Sequence, residues 1–195
     1  MFKLGLTGSI ASGKSTVLGY FAARGVPVFS SDDAVHELYR GEAVAPVEVL
    51  FPGVAPDGVI DRTELSRRLV AEPARLAALE AVVHPLVRAR IARFLDEAAA
   101  AGAELAVVDI PLLFENGVDW GFDAVLVTTV DAEEQRRRAL ARPGMTVEKL
   151  AAILARQMPQ AEKARRATYV VDTTGDRAAV REEVEALIDT LQADQ

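Results

Sequence analysis

The sequence predicts an α/β protein: a mainly parallel sheet flanked by helices, interrupted by two all-helical excursions. Three observations predict it. Short apolar runs alternate with helical patterns along the chain, as in strands joined by crossover helices. A glycine-rich loop, Gly8-Ser9-Ile10-Ala11-Ser12-Gly13-Lys14-Ser15, links the first such run to the first helix. The stretch between the second and third runs spans about seventy residues with little strand signal, where a crossover needs only about a dozen or more.

Lys3–Thr7 reads as a buried strand, and a helix follows the loop from Lys14 to Arg24. Gly25 then suits the left-handed position after a helix. Val26–Phe29 is a second strand, with Pro27 tolerable only near its start. Helical patterns cover Thr63–Val70, Ala74–Val83 and Leu86 to Ala101, with His84-Pro85 at the junction of the last two. Leu76, Leu79, Val82 and Val83 recur at helical spacing. Gly53, Pro56, Asp57 and Gly58 mark a loop. Leu105–Asp109 and Ala124–Val130 are β-branched runs of strand length, and Tyr169–Val171 is a shorter one. Ahead of that last strand, Ala132–Ala141 and Val147–Gln157 form a second helical excursion, split at Arg142-Pro143-Gly144.

Composition narrows the class. The 195 residues are 50% hydrophobic, which is enough for a real core and too apolar for a disordered chain. With no cysteine, disulfides, thiolate metal sites and thiol nucleophiles are all excluded. No run approaches the roughly 18 apolar residues of a membrane span, and the opening Met-Phe-Lys-Leu-Gly-Leu is short for a signal peptide. The expectation is a soluble, cytoplasmic protein that engages neither membrane nor nucleic acid. The net charge of −7 is unevenly spread: residues 135–166 hold nine Lys or Arg against two Glu, which leaves −14 on the rest. Such a segment suits either a solvated face or a compact anion.

The loop Gly8–Ser15 satisfies G-x-x-x-x-G-K-[ST] in full. Glycines let backbone N–H groups turn inward around phosphate oxygens, and the helix beyond presents its positive end to the same anion. Lys14 reaches the β- and γ-phosphates, and the Ser15 hydroxyl can ligate Mg²⁺. A chance match in a chain this long is on the order of 1%, and this one sits between a strand and a helix as the mechanism requires. The chain therefore binds a nucleoside triphosphate, with Mg²⁺ at Ser15, through Gly8, Ala11, Ser12, Gly13, Lys14, Ser15 and Thr16. No Asn-Lys-x-Asp or Thr-Lys-x-Asp motif marks a GTPase, and no Leu-Ser-Gly-Gly signature marks a transporter ATPase. A small-molecule phosphotransferase remains, with a nucleotide-sensing binding protein as the alternative of a different class. The organisation read from this is a nucleotide-binding core (1–31, 103–134 and 167–195) with two helical excursions, 32–102 and the basic 135–166.

Other parts of such a site can be sought by position. Asp32 follows the second strand, where a carboxylate can orient an acceptor hydroxyl, take its proton or hold Mg²⁺ through water. The same position suits an N-cap, and Asp33 suits a cap or a solvent charge. Arg138 and Arg142, four apart on one expected helix face with Gln135 before them, could neutralise charge during transfer. Arg156 is a further candidate. Asp109 ends a strand as a metal-associated carboxylate would. Because a phosphate-directed lysine points at ligand, Lys14→Ala is expected to leave the fold intact.

These residues resemble the dephospho-coenzyme A kinase family over nearly the whole chain. The carrying segments are Thr7–Thr16, Val28-Phe29-Ser30-Ser31-Asp32, Val83-His84-Pro85-Leu86-Val87, Asp109-Ile110-Pro111-Leu112-Leu113-Phe114-Glu115, Gln135-x-x-Arg138-x-x-x-Arg142 and Gln157. The resemblance implies a P-loop core in which the excursion 32–102 is the acceptor-substrate subdomain and 135–166 the lid, and ATP-dependent phosphorylation of the ribose 3′-hydroxyl of dephospho-coenzyme A. It also brings forward His84, as a substrate contact or a structural residue at a helix junction, and Glu115, as a substrate contact or the tie of its own loop. Oligomeric state is not implied. Three positions depart from the family pattern. Ser30 stands where a first Asp is frequent. Ala11 stands for a glycine, which a negative φ would accommodate. Thr173 replaces an Asn. His36, one helical turn after Asp32, and Trp120 read as surface and loop packing respectively.

Overall fold

The first apolar run becomes the middle of the sheet. In the computed structural model, which describes residues 1–193, β1 (Phe2–Gly8) lies between β3 (Leu105–Asp109) and β4 (Ala124–Thr129). β2 (Val28–Ser30) and β5 (Tyr169–Asp172) take the edges, in the order β2-β3-β1-β4-β5. The pairings of β1 with β3, β1 with β4 and β4 with β5 are all parallel. All five residues of β3 are buried. Burial on both faces explains why the run shows no alternation.

The chain divides into two compact units. The first comprises residues 1–29 and the chain from Leu95 onward. One core cluster there joins Leu4, Leu6, Leu105, Val107 and Leu126 of the strands to Val17 and Phe21 of α1 (Lys14–Ala23) and to α9 (Arg177–Ala193). α9 contributes Val180, Val184, Ile188 and Leu191, an apolar stripe at helical spacing. Between β4 and β5 the chain forms α6 (Ala132–Leu140), α7 (Val147–Arg156) and α8 (Gln160–Arg166). Sequence patterning finds α6 and α7. It misses α8, whose seven residues are too few to show a period.

The second unit, Ser30–Phe94, is helical: α2 (Ser31–Leu38), α3 (Val44–Leu50), α4 (Arg62–Ala71), a 3₁₀ turn (Pro73–Arg75) and the start of α5 (Leu76–Ala100). Leu38, Val47, Phe51 and Val54 are wholly buried. The glycine-containing loop at 51–61 is pinned by Ile60 N–H to the Tyr39 carbonyl (2.9 Å) and by Asp61 N–H to the Val54 carbonyl (2.8 Å). Arg75 lies over the Phe51 ring, 4.8 Å from its centroid.

Two expectations change here. The break expected at His84-Pro85 does not occur, because α5 runs through Pro85 as one helix of 25 residues. A proline inside a helix costs about 3 kcal/mol. Leu79, Val83, Val87 and Ile91, each at most 7% exposed, form one stripe that continues across it. Four such side chains contribute about 1.5–3 kcal/mol each, so burial wins. The N-cap expected of Asp32 or Asp33 belongs instead to Ser30, whose hydroxyl accepts the Asp33 N–H at 3.2 Å. Among the described residues no helix is long and apolar enough to cross a membrane.

Restoring the missing backbone bond should help a helix already held by its stripe. Pro85→Ala is expected to raise stability by about 1–3 kcal/mol, read as a higher melting temperature.

Candidate active site

The loop after β1 ends in a tight backbone arrangement that only particular residues permit. Gly8 packs so closely on its surroundings that a Cβ there would collide with the hydroxyls of Thr128 and Ser12. Those hydroxyls bond each other at 2.6 Å. Gly13 has φ +80°, and a Cβ there would lie 2.8 Å from the Thr173 hydroxyl. Ser12 N–H donates to the Ser9 carbonyl at 3.1 Å, closing a four-residue turn. Ala11, the third residue of that turn, has φ +60°. The negative φ under which an alanine would be accommodated is therefore not what this position adopts. The turn demands a left-handed residue, which costs an alanine roughly 1–2 kcal/mol where a glycine would be relaxed.

α1 opens at Lys14 with no side-chain cap, so the amides of its first turn face an N-terminus without intrahelical partners. Ser15 and Thr16 are exposed there. The Lys14 ammonium is paired with the Asp109 carboxylate at the end of β3, and the two side chains are only 12% and 5% exposed. Leu6 and Asp109 are register partners, so this pair lies at the C-terminal ends of two adjacent central strands. Lys14 is thus not simply turned toward ligand. The expectation that Lys14→Ala leaves the fold untouched gives way to one in which a buried carboxylate loses its cationic partner.

The 135–166 segment is tied to this loop by side chains. Arg138 donates to the Thr173 hydroxyl (3.0 Å), to the Thr173 carbonyl (2.7 Å) and to Glu134 (2.7 Å). Thr173 in turn donates to the Ser12 carbonyl at 3.0 Å. Hydrogen bonds from Arg137 and then Arg138 hold the Glu134 carboxyl at about 2, well below its usual range. Gln135 and Gln157 bond the backbone of Ile10. Gln160 bonds both the N–H (3.1 Å) and the carbonyl (2.8 Å) of Val130. Lys163, completely buried, pairs with Glu115 at 2.9 Å, and Glu115 also accepts the Met158 N–H at 2.8 Å. Glu115 therefore ties down the loop after β3.

The remaining sequence candidates are placed as follows. Arg142 does not share a helix face with Arg138, because α6 ends at Leu140 and Arg142 stands exposed in the turn beyond its C-cap. Arg156 is exposed at the end of α7. Asp32 is exposed in the first turn of α2. His36 bonds Arg62 through Nδ1 at 2.8 Å, and His84 is half-buried within α5. Trp120 stacks on Phe122 (centroids 6.5 Å apart), and both line an apolar cavity of about 270 Å³ with Leu113, Phe114 and Val125. Sequence reasoning missed Lys163, Gln160 and Thr128. Only the three-residue spacing of Gln157, Gln160 and Lys163 hinted that one side of this segment faces inward.

Known proteins agree with this architecture. The family model described as dephospho-CoA kinase matches residues 2–178. The dephospho-CoA kinase of Rhizobium meliloti (strain 1021) is 54% identical over 193 residues, covering 99% of this chain and all of the relative. That of Mesorhizobium japonicum is 54% identical, covering 98% of each chain. Among solved structures, TT1252 from Thermus thermophilus is 37% identical, with a TM-score of 0.82 over 97% of each chain. Dephospho-CoA kinase from Campylobacter jejuni is 25% identical, with a TM-score of 0.75 over 98% of each. Shikimate kinase from Bacteroides thetaiotaomicron (16%, TM-score 0.52, 98% of each chain) shares the fold.

Because removing one partner of a buried pair strands the other's charge, Lys14→Ala should lower unfolding free energy by about 3–5 kcal/mol. Adding Asp109→Asn should recover much of that loss. Urea melts of the two single variants and the double variant check it; independent, additive losses would contradict the pairing.

Proposed function

This chain belongs to the dephospho-CoA kinase family, and from that premise we propose how its own residues divide the work. The protein phosphorylates dephospho-CoA, the last step of coenzyme A biosynthesis, with ATP as phosphoryl donor. Donor binding falls to the loop Gly8–Thr16. Its glycines open room for phosphate oxygens, the amides at the start of α1 complement negative charge, and Lys14 turns from Asp109 to the β- and γ-phosphates. The observation that carries this is the Lys14–Asp109 pair standing at the opening of α1.

The exposed Ser15 hydroxyl and the Asp109 carboxylate suit Mg²⁺, which takes few protein oxygens and keeps water and phosphate ligands. When bound, the ion would neutralise charge on the β- and γ-oxygens.

Residues 32–102 serve as the acceptor subdomain and 135–166 as a lid whose arginines face phosphate charge during transfer. Arg142, exposed beyond α6, takes this part; Arg138 supports it while bracing Thr173. His84 joins the acceptor side, and Glu115 serves it by fixing the loop after β3. Asp32 is the acceptor's base. It is exposed, follows β2 by two residues and is relieved of capping by Ser30. The acceptor hydroxyl oxygen bonds to the γ-phosphorus as the bond to the bridging oxygen breaks. ADP leaves, and the hydroxyl proton passes to the Asp32 carboxylate. The substrates are small soluble molecules, and the cytoplasm is the compartment this chemistry fits.

The test separates base from cap. Asp32→Asn should cut turnover with ATP and dephospho-CoA about 10²–10⁴-fold with little change in melting temperature. Ser30→Ala should do the reverse, costing about 0.5–2 kcal/mol of stability with turnover largely kept. An active Asp32→Asn enzyme would remove Asp32 as base.

A further inference from the structure

Ile10 is gripped on both of its backbone groups. Its N–H donates to Gln157 Oε1 at 3.0 Å, and its carbonyl accepts from Gln135 Nε2 at 2.8 Å. Both glutamines belong to the 135–166 segment, Gln135 on α6 and Gln157 at the C-cap of α7. Side chains of the same helices cover this turn: Ala11 clusters with Ala139 and Leu150, with Ile10, Leu140 and Met145 against them. Ala11, the residue directly after the gripped carbonyl, is the non-glycine residue with positive φ among the described residues.

These facts are mechanically connected. The Ile10 carbonyl belongs to the rigid peptide plane that includes the Ala11 nitrogen and ends at the Ala11 Cα. The φ angle of Ala11 is the rotation between that plane and the rest of Ala11. With the far side of Ala11 held by the Ser12 N–H to Ser9 carbonyl bond, fixing the carbonyl's direction holds the angle that an alanine resists. A strained backbone position persists when its surroundings over-determine it, and here two carboxamides and an apolar cluster do so.

We propose that Gln135 is a positioning residue for the phosphoryl donor. By holding the Ile10 carbonyl it keeps Ala11 left-handed, and so holds the Ser9–Ser12 turn in its anion-accepting shape before the nucleotide arrives. Gln157 completes the grip and withdraws the Ile10 N–H from the set of amides offered to phosphate. The inference rests on the reading of Gly8–Thr16 as the donor site. Gln135 spends its amide on the Ile10 carbonyl and acts through the turn.

A glycine at position 11 takes a left-handed φ at no steric cost, so the need for the grip should disappear with it. The experiment is a cycle of wild type, Gln135→Ala, Ala11→Gly and the double variant. Each is assayed by calorimetric ATP binding and by KM for both substrates. Gln135→Ala is expected to weaken ATP binding and raise its KM about tenfold, roughly what one lost hydrogen bond costs. KM for dephospho-CoA and kcat should change little. In the Ala11→Gly background the same substitution should cost less than about threefold. Should Gln135→Ala fold poorly, Gln135→Met keeps the volume without the donor and enters the same cycle. If wild type binds ATP but the loss is equal in both backgrounds, or absent, Gln135 merely anchors α6 and the inference is overturned. If wild type binds no ATP, the donor-site reading itself falls.

Discussion

A lysine and an aspartate held together beside the middle of the sheet set the terms for the rest of the molecule. Lys14 opens α1 and Asp109 closes β3, and the parallel register of β1 with β3 brings the two strand ends side by side. Neither side chain is more than 12% exposed, so each charge has lost most of its water and has the other as a direct partner. Such a pair adds little net stability compared with apolar packing, yet separating it without a substitute is costly. An incoming polyphosphate is a substitute for the carboxylate, and a divalent cation is a substitute for the ammonium. Bound donor and metal can thus open the pair without leaving a buried charge bare.

The same economy extends to the basic segment. Its +7 balance suggests a solvated surface, but its inward side is committed. Arg138 reaches Ser12 through Thr173, Gln160 closes on Val130, and buried Lys163 neutralises Glu115. These links run to the phosphate loop, the end of β4 and the loop after β3, three places where the strands deliver functional backbone. The 135–166 segment is thus bound by side chains at all three places. Exposed Arg142 and Arg156 remain as its outward charges.

The strands were legible because apolar, β-branched runs of that length have few alternatives; Leu105–Asp109 holds its bounds to the residue. The P-loop was legible because its glycines answer to sterics visible at Gly8 and Gly13. What escaped depends on partners distant in sequence. Pro85 read as a break because local propensity says so, while the stripe from Leu79 to Ile91 overrides it. Ala11 is left-handed although alanine disfavours it, because the Ser9–Ser12 turn, closed by a backbone bond, places it there. Lys163 looked like one more solvated charge, since nothing local marks a lysine that will meet Glu115. Ser30 looked like a lost carboxylate and turns out to cap α2, which leaves Asp32 unencumbered.

The central claim is that nucleotide and metal share out a pre-existing ion pair. Calorimetric ATP affinity, with and without Mg²⁺, in wild type and Asp109→Asn tests it most directly. Without metal, the variant should bind ATP more tightly than wild type, because Lys14 no longer has a competing carboxylate. Adding Mg²⁺ should strengthen binding markedly in wild type and much less in the variant. Equal metal dependence in the two proteins, with no gain in metal-free affinity, would contradict the account.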